Sequence, residues 1–330
     1  MKKISLITLL AVLLLVVAAC SNSDSSSESN ETSGDSKTNF PEKNMKVIVP
    51  FAPGGAVDTI NRMISKHSDE YMDGQKIIVE NKEGGGAVIG QSFVAGSNPD
   101  GYTLLAFTSS AVSNPLTTET NYTHEDFEPI VMYSFEPELL VVPANSPIKS
   151  FEDFETQAKT GEVMLATPGH STSHHTAGIL LQEKFGWNIN FIHTESGGEQ
   201  QQQLLGGHVE AALLTYGEVQ AQIKEGTIRP IAIMDKERSE EIPDTPTFKE
   251  NDVDIEYGPF RGIATPKGIP EDVKEKLEKM FTGVLEDQGF IDDMEKAGFK
   301  VVYGDSEVLQ SKVNQEFDFI NQILPLLLEK

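Results

Sequence analysis

The sequence predicts two α/β lobes with a ligand cleft between them, and three observations carry that prediction. The chain has 330 residues, enough for about two domains. Both halves alternate short apolar runs, polar glycine loops and segments of helical period, the pattern of mainly parallel sheets. In open α/β sheets the loops after the strands gather at one edge. Two such halves facing each other make a cleft, where small ligands favour binding.

Composition narrows the function. The chain is 38% hydrophobic, with 26 Lys plus Arg against 51 Asp plus Glu, a net charge of −25. Nucleic-acid binding needs clustered cations, so no nucleic acid is expected as a partner. A small anionic ligand remains compatible, because local N–H groups and helix ends hold it whereas net charge governs long-range approach. The single cysteine, Cys20, excludes a disulfide within the chain and a multi-cysteine metal site.

Residues 1–19 read as a targeting segment. Lys2 and Lys3 precede an apolar run from Leu6 to Val17 that is too short for a membrane span. Val17-Ala18-Ala19-Cys20 resembles a bacterial lipobox, which makes Cys20 the lipidated first residue of the mature protein. The alternative is an ordinary cleaved signal peptide. Ser21 to Asn39 holds eight serines, four acids and one lysine, too polar to build a core. Residues 20–44 are therefore expected to be a lipidated, disordered tether.

The globular part opens on Val47-Ile48-Val49, a buried strand ended by Pro50 and Pro53. Gly54-Gly55 frees the backbone, and Val57, Ile60, Met63 and Ile64 then mark a helix face. The first turn of a helix has unpaired N–H groups and a partial positive charge, so this loop suits a carboxylate. It reads equally as a plain strand-to-helix turn. Lys76 to Glu80 is a second strand, followed by the glycine loop Asn81 to Ala87 and a helix to about Gly96. Asn98 to Gly101 is a turn. Tyr102 to Phe107 is a third strand with Thr108, Ser109 and Ser110 at its C-terminal end, the edge where ligands sit. Glu138 to Pro143 is a further strand, and Asn145-Ser146-Pro147 after it suggests the crossing into the second domain.

The second half repeats the plan. Val163 to Thr167 is a strand, Pro168 to Ser173 a small polar loop, and Thr176 to Phe185 a helix. Asn190 to His193 leads into Thr194 to Gly198, and Val209 to Thr215 into Tyr216-Gly217-Glu218. Tyr257 to Ala264 crosses back, and Glu271 to Asp287 and Ser306 to Leu328 are terminal helices. The expected domains are 45–142 with 259–330, and 143–258.

Several enzyme signatures come close and fail. Gly169-His170-Ser171-Thr172-Ser173 follows a strand like a nucleophile elbow, but Ser173 stands where that motif needs glycine. A secreted hydrolase using Ser171 is the alternative from another class. Gly84 to Gly90 misses the dinucleotide spacing by one residue, and no acidic residue follows for a ribose. His170, His174 and His175 lack an acidic or cysteine partner nearby, so no metal is expected. No cofactor is expected either.

The motifs together resemble a known family. Pro50 to Gly55 with Asp58 and Arg62, Val79 to Lys82 with Gly84-Gly85-Gly86 and Gly90, and Pro99 to Leu104 look like three signatures of the tripartite tricarboxylate transporter receptors (Bug or TctC family). Leu204 to Glu210, Ile242 to Thr247 and Gly262 to Gly268 resemble three more, in family order across residues 45–270. Ser196 to Glu199 and Phe260-Arg261-Gly262 are similar to the TctC branch. Glu83, Asn61 and His170 depart from residues usual in the family, which bears on ligand identity.

The resemblance implies a type II periplasmic-binding-protein fold and an extracytoplasmic, lipid-anchored monomeric receptor without enzyme activity. Such a receptor closes on a small organic carboxylate, of tricarboxylate or dicarboxylate type, and delivers it to transporter subunits in the membrane. A signalling partner is the other reading of delivery. Carried onto this chain, the first-domain grip is Phe51, Ala52, Pro53, Gly54 and Gly55, with Asp58 beside them. It continues through Gly84, Gly85, Gly86 and Ala87, with Ser109 and Ser110 nearby. The second domain contributes Gly169, His170, Ser171 and Thr172, then Thr194, Ser196 and Gly197, and finally Tyr216, Gly217 and Glu218. A strongly acidic chain needs a cation to hold a polyanion, and His170 or Arg261 is the candidate. Arg261 reads equally as an interdomain salt bridge.

Overall fold

Both glycine loops of the first half join a strand to a helix in the computed structural model, which describes residues 39–328. The leader, Cys20 and the tether up to residue 38 lie outside the described residues. β1 (Met45–Val49) leads to α1 (Ala56–His67), β2 (Ile77–Asn81) to α2 (Val88–Ala95), and β3 (Thr103–Thr108) to α3 (Ser110–Thr117). With β4 (Phe127–Phe135) and β10 (Phe260–Pro266) they form a sheet of order β2-β1-β3-β10-β4. β1 runs parallel to both neighbours, and β10 antiparallel to both of its own. The apolar run of β1 is explained by burial on both faces, as in a covered parallel sheet. Val47 and Val49 enter one core cluster and Ile48 the other, the period of two of a strand.

The second lobe has the same plan. β5 (Glu138–Pro143) is followed by α4 (Phe151–Thr160), β6 (Val163–Thr167) and α5 (Ser173–Phe185). Then come β7 (Ile189–His193), α6 (Gly197–Leu205), β8 (Ala211–Thr215), α7 (Tyr216–Lys224) and β9 (Ile228–Ile233). The sheet order is β7-β6-β8-β5-β9, with β6 parallel to its neighbours and β5 antiparallel to its own. Thus β5 occupies in this sheet the place that β10 occupies in the first.

That position corrects the expected first boundary at 142/143. The chain leaves the first sheet after Phe135 and enters the second at Glu138, so residues 138–142 belong to the second lobe. Pro143 and Pro147 break the chain on the far side of β5, whereas the crossing sits at Pro137. The return crossing at Tyr257–Phe260 lies beside it. The Glu136 and Glu138 N–H groups donate to the carbonyls of Pro259 (3.3 Å) and Tyr257 (3.0 Å). A Cβ on Gly258 would stand 1.9 Å from the Glu136 carbonyl oxygen, so the two crossing strands approach this closely only around glycine.

α8 (Glu271–Glu286) and α9 (Gln288–Lys296) pack on the first lobe, and α10 (Ser306–Leu328) serves both lobes. Leu309 and Val313 of α10 enter a first-lobe core cluster, while Ile320 and Leu327 meet Ile179 of α5. The C-terminal segment is therefore not confined to the first lobe. Among the described residues no helix is long and apolar enough to cross a membrane.

Candidate functional site

Strand ends converge where the two lobes meet and line a small cavity of about 40 Å³. Five helices present their first turns to it. α1 contributes Gly55, Ala56 and Val57, and α3 contributes Ser109 and Ser110. α5 adds Thr172, Ser173 and His174, α6 adds Ser196 and Gly197, and α7 adds Glu218. First-turn N–H groups lack partners within their own helix and carry partial positive charge, so the wall is rich in donors suited to an anion. Phe51, Thr108, Pro168, Pro259 and Arg261 complete the lining.

The deep end is ionic. Arg261, 2% exposed, donates through Nη1 to Glu136 Oε2 (2.7 Å) and to Ser134 Oγ (3.2 Å). Its Nε and Nη2 make no hydrogen bond among the described residues. Burial works against the guanidinium charge, but Glu136 and Glu218 outweigh it and hold Arg261 protonated. Glu136 also accepts from the Gly217 N–H (3.1 Å) and the Thr215 hydroxyl (3.3 Å). Burial pushes the Glu136 carboxyl up, opposed by the Arg261 charge. His174 Nδ1 lies 2.5 Å from Glu138 Oε2, and its Nε2 lies 3.6 Å from Glu218 Oε2. Burial alone would lower the His174 pKa, but these two carboxylates outweigh it and raise it. Glu218 Oε2 caps α7, accepting from the Thr215 N–H (2.8 Å) and hydroxyl (3.2 Å).

Of the residues expected to bind ligand, Phe51, Gly55, Ser109, Ser110, Thr172, Ser196, Gly197, Glu218 and Arg261 line the cavity. Arg261 bridges to the crossing segment through Glu136 and also lines the cavity. Asp58 does not line it. The Asp58 carboxylate accepts from the Gly54 N–H (3.0 Å), Arg62 Nε (2.9 Å) and Asn81 Nδ2 (2.9 Å). Burial opposes its charge, yet these donors hold Asp58 below the usual range, as a brace for the first glycine loop. Pro53 and Gly54 shape that loop, and the Ala52 N–H crosses to the Glu195 carbonyl at 3.1 Å.

The second glycine loop has a different position from the one expected. Gly84, Gly85, Gly86 and Ala87 stand outside the cavity lining, where Gly86 packs on the loop after β6. A Cβ on Gly86 would lie 2.7 Å from the His170 carbonyl oxygen, and one on Gly169 would lie 2.8 Å from Gly86 Cα. Ser113 Oγ donates to the Ser171 carbonyl, and Thr117 Oγ1 to Ser171 Oγ (2.6 Å). The loop thus clasps one lobe to the other beside the cavity.

His170 belongs to this clasp, not to the cavity. Its Nδ1 meets Ser171 Oγ at 2.7 Å, and burial lowers its pKa. α5 begins at Ser173 rather than Thr176, which turns His174 of its first turn inward instead. Thr194 braces its own loop through the Ser196 carbonyl (3.0 Å). Tyr216 faces an outer groove, and Gly217 reaches the site only through its N–H. Sequence reasoning missed His174, Glu136 and Glu138. The available signal was two acids flanking Pro137 inside the apolar run from Tyr133 to Val142, since buried charges need partners.

Two α/β lobes of one topology, joined by paired crossings and meeting over a cavity that both of them line, define a solute-binding receptor of the periplasmic-binding-protein type. The chain belongs to the tripartite tricarboxylate transporter family receptors (TctC), whose family profile matches residues 60–324. It is 30% identical over 275 residues to the UPF0065 protein in the gbd 5′ region of Cupriavidus necator, covering 81% of this chain and 82% of that one. It is also 30% identical over 260 residues to protein BugT of Bordetella pertussis, covering 77% and 79%. The solved structure of the periplasmic binding protein BugD superposes with a TM-score of 0.80 at 28% identity, covering 87% of this chain and 98% of that one.

Proposed function

We propose that this protein is an extracytoplasmic receptor that captures a small organic carboxylate by closing its lobes and delivers it to the membrane subunits of a tripartite tricarboxylate-type transporter. The observation that carries this reading is the convergence of five helix N-termini on a cavity whose buried Arg261 keeps Nε and Nη2 without a hydrogen-bond partner among the described residues. Each charge-assisted hydrogen bond to a carboxylate there is worth about 1.5–3 kcal/mol. Tethering through a lipid on Cys20 would hold the receptor near those subunits. The Ser171 hydrolase reading finds no support: the side chain is fully buried in the inter-lobe clasp and is absent from the cavity lining.

Closure is the step to test. Opening about the paired crossings at Pro137 and Gly258 separates the clasp around Ser171, and a bound carboxylate supplies the contacts that favour the closed form. Small-angle X-ray scattering with and without a mixture of short carboxylates checks this. The expected result is a smaller radius of gyration with ligand; identical curves at saturating ligand count against closure.

A further inference from the structure

We propose that Glu316 controls lobe closure from the rear of the hinge: ionised, it holds the lobes together at the cleft, and protonated, it lets them part. This inference rests on the closure reading above and adds the group that governs it.

The returning segment has two faces. Its residues alternate along the extended chain. Pro259 and Arg261 line the cavity, whereas Gly258 and Phe260 line a second hollow, of about 300 Å³, on the opposite face. Phe135 and Phe260, which pack with a first-lobe core cluster, line this hollow from one side. Tyr257 and Phe319, with ring centroids 5.3 Å apart, pack with a second-lobe cluster and line it from the other. A rotation about the crossings that parts the lobes at the cleft brings these rear walls together.

Glu316 stands between the walls. On α10 it lies between Val313, which enters a first-lobe core cluster, and Ile320, which packs on Ile179 of α5. It is 8% exposed and lines the hollow. Its Oε1 accepts from the Tyr257 hydroxyl at 2.9 Å, and it forms no ion pair among the described residues. Lys312, one turn earlier on α10, holds its Nζ 4.8 Å from the centre of the Phe135 ring instead. Glu256 also lines the hollow, but Lys236 pairs with it at 2.8 Å. Tyr257 from the crossing and Lys312 from α10 are the titratable groups that bear on Glu316 among the described residues; β4, α3 and α5, which also pack on α10, contribute none. Glu138 of β5 bears on Tyr257.

The two protonation states suit different widths of the hollow. A carboxylate with one protein donor and no paired cation depends on water for its remaining hydrogen bonds. The hollow admits that water while the lobes are clasped. Opening presses the rings of both walls onto the carboxyl and strips the water, which favours the neutral acid. Burial already raises the Glu316 carboxyl to about 7 in the clasped form, and opening raises it further. By linkage, a fall in pH then favours the open form and a rise favours the clasped one.

Small-angle X-ray scattering on the full-length protein without ligand, at about pH 6 and about pH 8, brackets the Glu316 value and tests this whatever the receptor binds. The expected result is a larger radius of gyration at the lower pH in the wild type. Glu316→Gln, which mimics the neutral acid and still accepts from the Tyr257 hydroxyl, should keep that larger radius at both. Tyr257→Phe removes the donor that favours the ionised form, so its transition should move to higher pH. A wild-type radius that does not change with pH overturns the role of Glu316. So does a Glu316→Gln protein that follows the wild type, or an unmoved transition in Tyr257→Phe. Each of these leaves the receptor reading standing, which fails separately if no carboxylate binds.

Discussion

Arg261 illustrates how one side chain joins structure to recognition. It ties β10 to the crossing segment through Glu136 while presenting its other edge to the cavity. Arg261→Met leaves Glu136 buried without its partner, which costs about 3–5 kcal/mol of stability and abolishes carboxylate binding. Arg261→Lys keeps a charge but loses the planar fork, so affinity should fall more than stability. Thermal denaturation and ligand titration on the two variants check this, and equal affinity loss without any stability loss in Arg261→Met would contradict it. Gly86 is the matching case in the clasp. Its φ of +61° disfavours a side chain, and a Cβ would press on the His170 carbonyl at 2.7 Å. Gly86→Ala should leave both lobes folded by circular dichroism while weakening ligand binding about tenfold, because closure is blocked. Arg261 was legible from the sequence because a lone cation on a returning strand of an acidic chain is conspicuous. His174 was not, because the helical phase that turns it inward depends on where α5 starts.

Elements were legible where their signals are local. The strand, proline, glycine and helix order around β1 and β2 follows directly from residue type, and Ser150 caps α4 through the Asp153 N–H at 3.1 Å, as Ser-Phe-Glu-Asp implies. β4 was hidden because Glu128 and Pro129 interrupt its apolar run, and β5 was assigned to the wrong lobe because Pro143 mimics a boundary. The elements also carry a pH response. His175 on α5 packs against His170 and His193, with ring centroids 4.8 and 4.9 Å away, and accepts the Ser171 N–H at Nδ1. Burial, reinforced by the two other imidazoles, pushes its pKa down to about 3. The folded state therefore binds fewer protons than the unfolded chain between about 6.5 and 3. Stability should fall as pH drops through that window, by up to roughly 1.4 kcal/mol per pH unit. His175→Gln should flatten the pH profile of urea denaturation there. Glu316 on α10 works in the opposite sense. Burial raises its carboxyl to about 7 while the Tyr257 hydroxyl donates to it at 2.9 Å. The folded state holds the proton longer, so stability is lost as pH rises from about 4.5 through 7. Glu316→Gln keeps an acceptor and should raise stability at pH 8 by roughly 3 kcal/mol, with no gain at pH 4. An unchanged melting temperature at pH 8 would contradict that assignment.

The whole molecule is two copies of one topology, each with a strand lent across the paired crossings. That arrangement explains why the fold was legible from alternation alone, whereas the cavity was only partly so. The expected grip was carried over from the family resemblance, and it included both cavity walls and the clasp. Which loop does which depends on how the lobes meet, a property no single stretch encodes. Closure then follows as a whole-molecule property. The cavity is bounded by both lobes, so a ligand inside it binds the closed form and stabilises the fold as a unit.

The most direct measurement is therefore a thermal-shift panel of short carboxylates, each beside its neutral amide, on the full-length protein. At about a hundred times Kd a ligand adds about 2.7 kcal/mol, a rise of roughly 4 °C for a chain of this size. The account predicts such a rise for at least one carboxylate, none for the amide of the same skeleton, and its loss in Arg261→Met. A panel in which no carboxylate moves the transition, or in which amide and acid move it equally, would contradict the account.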